Sequence, residues 1–187
     1  MSITKWILTV PHGKCDDVVD EGHPCDTVAM KAADMLADAL DDLEQEVVIV
    51  HATTIREMGD LNRITTAGRT FHQIWEREVN ETTRPCVVDV HSFDDLNWFG
   101  GTNVALLEST PTWNRWTKQL AVLSDAAHLQ GKDENYIITH AVRDLGCPAI
   151  LIEFWESLSV RKLEKAVVKI AEALVSLSHD KMIRIEK

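Results

Sequence analysis

Proline and glycine are scarce, at five and eight of 187 residues, and the chain has no low-complexity run and no internal repeat. With 45% hydrophobic residues, that excludes a disordered or solenoid chain. The expectation is one compact domain over residues 1–187, long enough to bury a real core. Positive charge is also short: 19 Lys and Arg stand against 30 Asp and Glu, a formal net charge of −11. Such a surface repels phosphate backbones and anionic lipid, so nucleic-acid and membrane partners are not expected. A small anionic substrate is not excluded, because one local Arg can override the global field. No stretch approaches the ~20 apolar residues of a membrane span. The opening MSITKWILTVPHG has one Lys and a short apolar run ending in Pro-His-Gly; it reads as a first strand rather than as a secretion signal. Cysteine is limited to Cys15, Cys25, Cys86 and Cys147, without a CxxC pair. Reduced thiols packed as small hydrophobes are expected rather than a disulfide framework. A cytoplasmic protein is the resulting expectation.

What is present is an alternation of apolar strand runs and amphipathic helices. Residues 5–10 form a compact apolar run that stops at Pro11, the signature of a buried strand. Residues 13–24 are polar and acidic, a loop. Asp26 or Thr27 then caps a long helix, with Val28, Ala32, Met35, Leu36, Leu40 and Leu43 at helical spacing. Residues 46–51 (EVVIVH) are a second strand and 86–90 (CVVDV) a third, separated by a helix over about 66–80 with Phe71, Ile74, Trp75 and Val79 on one stripe. Residues 92–107 read as irregular. Pro111 opens a helix to roughly residue 129, and another spans about 134–145 and stops at Gly146. Residues 148–154 (PAILIEF) are a fourth strand, and 159–178 the last helix. The pattern predicts an α/β fold, a three-layer αβα sandwich with a mainly parallel, or mixed, central sheet.

In such sheets ligands bind at the C-terminal ends of the strands. His12 lies just after the first strand, His91 closes the third, and Glu153 sits near the end of the fourth, so all three should meet at one rim. A hydrolytic zinc requires three protein ligands and an open position, with a nearby carboxylate to take a proton from water and pass it on. His12 and His91 supply two imidazoles. The third ligand must come from the intervening loop or helix; Asp26 is the first choice, with Glu21, His23 and Cys15 as alternatives. Glu153 lies within Ala149-Ile150-Leu151-Ile152-Glu153-Phe154, where an unpaired carboxylate would be costly. It is either salt-bridged or a catalytic acid/base tuned by that apolar setting. Arg63 with Asn62 can grip a substrate carboxylate, or belong to a helix-entry loop paired with a surface acid.

Other residues carry weaker signals. Period two places Asp89 on the same face as His91, where it either orients that histidine or caps a helix. His140 reads as a surface helical residue that could alternatively reach the rim. Ser92 is not a triad nucleophile, since no Gly-x-Ser-x-Gly elbow surrounds it; it could position His91 or substrate. Trp113 and Trp116 read as core rather than pocket lining. Gly100-Gly101 is a flexible turn and not a phosphate loop.

The ordered set Val10-Pro11-His12-Gly13, Asp26, Asp60-Leu61-Asn62-Arg63, Val88-Asp89-Val90-His91-Ser92-Phe93 and Pro148-Ala149-Ile150-Leu151-Ile152-Glu153 resembles the N-formylglutamate amidohydrolase family. It is also similar to the wider group containing zinc carboxypeptidases and N-acetylmuramoyl-L-alanine amidases. The resemblance implies one zinc ion per chain, held by His12, an acidic residue and His91. In the amidases the acidic ligand heads the helix after the glycine-rich loop, the place of Asp26, although those enzymes carry Glu there. In the carboxypeptidases it lies three residues after the first His, which is Cys15 here. The Asn-Arg pair that grips a terminal carboxylate maps to Asn62 and Arg63, and the late Glu acting as general acid/base maps to Glu153. The chain is short for the formylglutamate enzymes, and Lys14 follows its Pro-His-Gly. The implied activity is zinc-dependent hydrolysis of an amide in an N-acyl amino acid or small peptide bearing a carboxylate. The alternatives are a cell-wall amidase and a metal-free binding protein that kept the fold.

Overall fold

A computed structural model describes residues 3–13, 26–52, 61, 68–93, 105–130 and 136–178. Asn62, Arg63 and the alternative ligands Cys15, Glu21 and His23 lie outside these residues, as do Cys25 and Gly100-Gly101.

The apolar runs form strands β1 (Lys5–Val10), β2 (Val47–His51), β3 (Pro85–Phe93) and β6 (Ala149–Trp155), all mutually parallel. Two further strands, β4 (Ala105–Ser109) and β5 (Ala127–Gln130), complete a six-stranded sheet of order β2-β1-β3-β6-β4-β5. β4 runs antiparallel to β6 and parallel to β5, so the sheet is mixed. The helices are α1 (Thr27–Asp42), α2 (Arg69–Glu81), α3 (Asn114–Ser124), α4 (Tyr136–Arg143) and α5 (Val160–Ser178).

The central strands are apolar on both sides because both sides are covered. Trp6, Leu8, Val88, Val90, Ile150 and Ile152 pack with α1, α3 and α5. The alternate residues Ile7, Val87, Ala149 and Leu151 pack with α2 and α4. The long helix α1 presents Ala29, Ala32, Ala33, Leu36 and Leu40, all fully buried, at the i, i+3, i+4, i+7 spacing that a core-facing helix requires. This is the expected three-layer αβα sandwich. Among the described residues no helix is long and apolar enough to cross a membrane.

Two expectations are corrected. The helix beginning after Pro111 was expected to continue to about residue 129. Instead a single 3₁₀ turn (Pro111–Trp113) leads into α3, which ends at Ser124 with Asp125 in the left-handed conformation, φ 60°, and the chain re-enters the sheet as edge strand β5. The stretch expected to be irregular, residues 92–107, contains the end of β3 and the start of β4. Elsewhere the boundaries agree closely, and Gly146 does take the left-handed φ of 64° that ends the α4 segment. Trp113 and Trp116 are core residues, their rings edge-to-face at 6.1 Å.

Cys86 and Cys147 are buried free thiols, as expected for small core residues. Burial pushes both upward, Cys147 to about 12 and Cys86 well above its ordinary value, so neither is a thiolate in the folded chain. Iodoacetamide should therefore label Cys86 and Cys147 only after denaturation. Rapid labelling of either in the native protein, mapped by peptide mass spectrometry, would contradict this packing.

Candidate metal centre

Three chain segments meet at the C-terminal rim of the parallel strands. The first is Pro11-His12-Gly13, immediately after β1. A Cβ at Gly13 would fall into the Met30 side chain and press against Val10, so glycine lets α1 approach the end of β1 this closely. The second is the start of α1, tied to the first by a hydrogen bond from the Asp26 amide to the His12 carbonyl, 3.3 Å. The third is the end of β3, carrying His91.

Asp26 occupies the residue before α1 but makes no side-chain capping bond. Its carboxylate turns to the histidines: Oδ2 lies 3.0 Å from His91 Nδ1 and 3.5 Å from His12 Nδ1. The two imidazoles are 5.0 Å apart, edge to face. All three residues are buried, and one potential ligand atom from each lies within 4.8 Å of the others. Among the described residues this is the one such trio. Asp26, first choice among the acidic candidates, is thus in place beside both histidines.

The remaining polar residues follow from the pleat. Thr9, Asp89 and His91 share the sheet face turned toward α2 and α4, and Glu153 lies on it too, because Thr9 pairs with Asp89 and His91 with Glu153 in register. Asp89 is fully buried; its Oδ2 is 2.9 Å from His91 Nε2, and its Oδ1 accepts a 2.6 Å hydrogen bond from the Thr9 hydroxyl. Of the two roles open to Asp89, it therefore takes the histidine-orienting one. Thr9 was not anticipated: a threonine in an apolar strand carries no signal until its neighbour across the sheet is known. Glu153, half-buried, stands beside His91 on the adjacent strand.

Two other candidates are placed elsewhere. The Ser92 hydroxyl donates to Glu156, 2.9 Å, and points away from the His91 side of the strand. His140 does not reach the rim. It lies in the last turns of α4, which lead toward the start of β6, with Nδ1 2.7 Å from Asp144 and Nε2 3.2 Å from Glu76 on α2. Its ring stacks on Tyr136 at 5.2 Å.

The electrostatics are those of a tightly coupled cluster. Burial pushes the Asp26 carboxyl up, but hydrogen bonds from His12 and His91 outweigh it and hold the group well below the usual carboxylate range. Burial lowers His91, yet the Asp89 charge and hydrogen bonds to Asp26 and Asp89 raise it well above an ordinary histidine. The two carboxylates that flank its ring, Asp26 and Asp89, favour the protonated form of His91. The donor set of two imidazole nitrogens and one carboxylate oxygen, enclosed and closely spaced, fits a zinc ion that retains an open position.

No family model matches the chain, and no curated protein matches it. Solved structures do. An N-formylglutamate amidohydrolase from Ralstonia eutropha aligns with a TM-score of 0.61 at 10% identity, covering 95% of this chain and 94% of that one. An N-acetylmuramoyl-L-alanine amidase from Clostridium difficile 630 aligns at 0.60 and 13% identity, covering 97% and 100%. A gene product of Agrobacterium tumefaciens, Atu2144, aligns at 0.61 and 16% identity, covering 94% and 92%. What these share with the chain is the fold. It is the αβα fold of amidohydrolase and amidase structures, the same group that the ordered sequence motifs resemble.

Proposed function

We propose that the protein is a zinc-dependent amide hydrolase, with His12, Asp26 and His91 holding the metal and Glu153 acting as general acid/base. The observation that carries this reading is the buried His12–Asp26–His91 trio at the strand rim, with Glu153 in register beside His91. When bound, zinc supplies Lewis acidity, polarising the amide carbonyl and acidifying water. The chain's own groups do the rest. Glu153 takes a proton from the attacking water and delivers it to the departing amide nitrogen, a role worth about 10²–10⁴-fold in rate. Its place on β6, between β3 and β4 and in register with His91, puts it on the sheet face that carries the histidine. Asp89 holds the His91 ring in place, and Asn62 with Arg63 binds the substrate carboxylate through the forked geometry of the guanidinium.

The substrate class that follows is an N-acyl amino acid such as N-formylglutamate, or a small peptide with a free carboxylate, acted on in the cytoplasm. A cell-wall amidase is the second reading, favoured by the structural alignment that spans the whole of the clostridial amidase chain. The test begins with metal analysis of the purified protein and a zinc titration followed by thermal melting. Stoichiometric zinc and a raised melting temperature are expected; absence of both would favour a metal-free binding protein. Hydrolysis of N-formyl-L-glutamate measured against release of peptide from purified cell wall then separates the two enzymes, and activity on neither by the zinc-loaded protein would remove both.

A further inference from the structure

We infer that Thr9 and Asp89 are positioning residues that lock His91 so that Nδ1, not Nε2, is the nitrogen offered to the metal. This rests on the metal-centre reading above and deepens it. The observation is a relay of side chains across two strands: Thr9 Oγ1 donates to Asp89 Oδ1 at 2.6 Å, Asp89 Oδ2 meets His91 Nε2 at 2.9 Å, and His91 Nδ1 faces Asp26 Oδ2 at 3.0 Å.

The chemistry leaves little freedom. A carboxylate only accepts hydrogen bonds, so each ring nitrogen donates to the carboxylate it faces; a metal held by Asp26 and His12 would displace the proton on Nδ1, while the fully buried Asp89 keeps the one on Nε2. With Nε2 protonated, the neutral form of His91 has its lone pair on Nδ1, on the side where Asp26 and His12 lie. Thr9 in turn decides how Asp89 sits. Its single hydroxyl proton is committed to Oδ1, which leaves Oδ2 aimed along the strand at the residue two places on. Both Thr9 and Asp89 have no solvent exposure, so water cannot substitute for either bond. A buried carboxylate within the apolar run Val87-Val88-Asp89-Val90 is expensive unless each of its bonds is made. A purely structural strand would carry a hydrophobe at both positions. Carboxylates placed behind a histidine ligand also strengthen its donor nitrogen, and their loss commonly weakens metal binding about 10–100-fold.

The experiment is long-range ¹H–¹⁵N correlation NMR of the full chain with ¹⁵N-labelled histidine, with and without added zinc, together with zinc affinities from chelator competition. In the zinc-loaded protein His91 should show a metal-shifted Nδ1 and a protonated Nε2. A zinc-shifted Nε2, or a proton kept on Nδ1, would overturn the inference while leaving zinc binding itself intact. Failure of any zinc to bind at the histidines would instead bring down the metal-centre reading, and this inference with it. Asp89→Asn and Thr9→Val should each weaken zinc about 10–100-fold, and Thr9→Ser should restore wild-type affinity because it returns the hydroxyl. Unchanged affinity in Thr9→Val, with Nδ1 ligation retained, would remove Thr9 from the device. Should a variant not fold, the wild-type spectra alone still decide which nitrogen is bound.

Discussion

Glu153→Gln is expected to bind zinc as the wild type does and to hydrolyse the amide substrate at least ~100-fold more slowly, the scale of general acid–base assistance. Glutamine keeps the size of the side chain and its place between β3 and β4, so the fold should survive. What it cannot do is accept a proton from water and return it to nitrogen. The loss should appear in kcat rather than in KM, because a group that acts on the proton in transit contributes little to ground-state binding. The check is steady-state kinetics on metal-replete enzyme with zinc content measured on the same preparation. Wild-type turnover in Glu153→Gln would take this residue out of the mechanism, whatever the metal content.

His91→Ala should lose the metal itself, and it should do so for two separable reasons. The direct one is the absence of a ligand nitrogen. The indirect one is that Asp26 and Asp89 are left buried without the group between them, and breaking a buried charge pair from one side costs about 3–5 kcal/mol. The pH dependence distinguishes the two. In the metal-free wild type the folded-state value of His91 is raised, so the stabilisation from its imidazolium is fully present below the ordinary histidine value and is lost as pH rises through the raised one. Asp26 has the opposite sign: its lowered value gives a contribution present above the ordinary carboxylate range and lost as pH falls through the lowered one. The melting-temperature gap between metal-free wild type and His91→Ala should therefore narrow as the solution is made alkaline. Zinc affinity of the wild type should rise over the same interval, because binding must expel the Nδ1 proton. A gap that widens with pH, or full zinc content in His91→Ala, would contradict the ligand role.

Much of the layout could be read before any coordinates. Runs such as residues 5–10 and 148–154 are apolar at every position, and only a strand covered on both faces needs that. The position of each histidine directly after such a run, combined with the rule that ligands sit at the C-terminal ends of parallel strands, was enough to bring His12 and His91 together. The strands that escaped notice, β4 and β5, are short, lie at the far side of the sheet and are written in residues such as Ala-Leu-Leu-Glu-Ser that suit a helix equally well. Their pairing with β6 and with each other makes them strands, and pairing is a property of the neighbour. The same holds for the end of α3: nothing in Ser124-Asp125 signals a stop as plainly as Gly146 does after α4.

Local sequence, then, determined which segments are buried strands and which residue types carry the chemistry, because burial and periodicity act over a few residues at a time. The tertiary structure alone decided that Asp26 turns from its helix end to the two imidazoles, and that Asp89 finds Thr9 on one side and His91 on the other. Those choices depend on strand order and register, which bring together residues 80 positions apart and which no short stretch of chain encodes by itself.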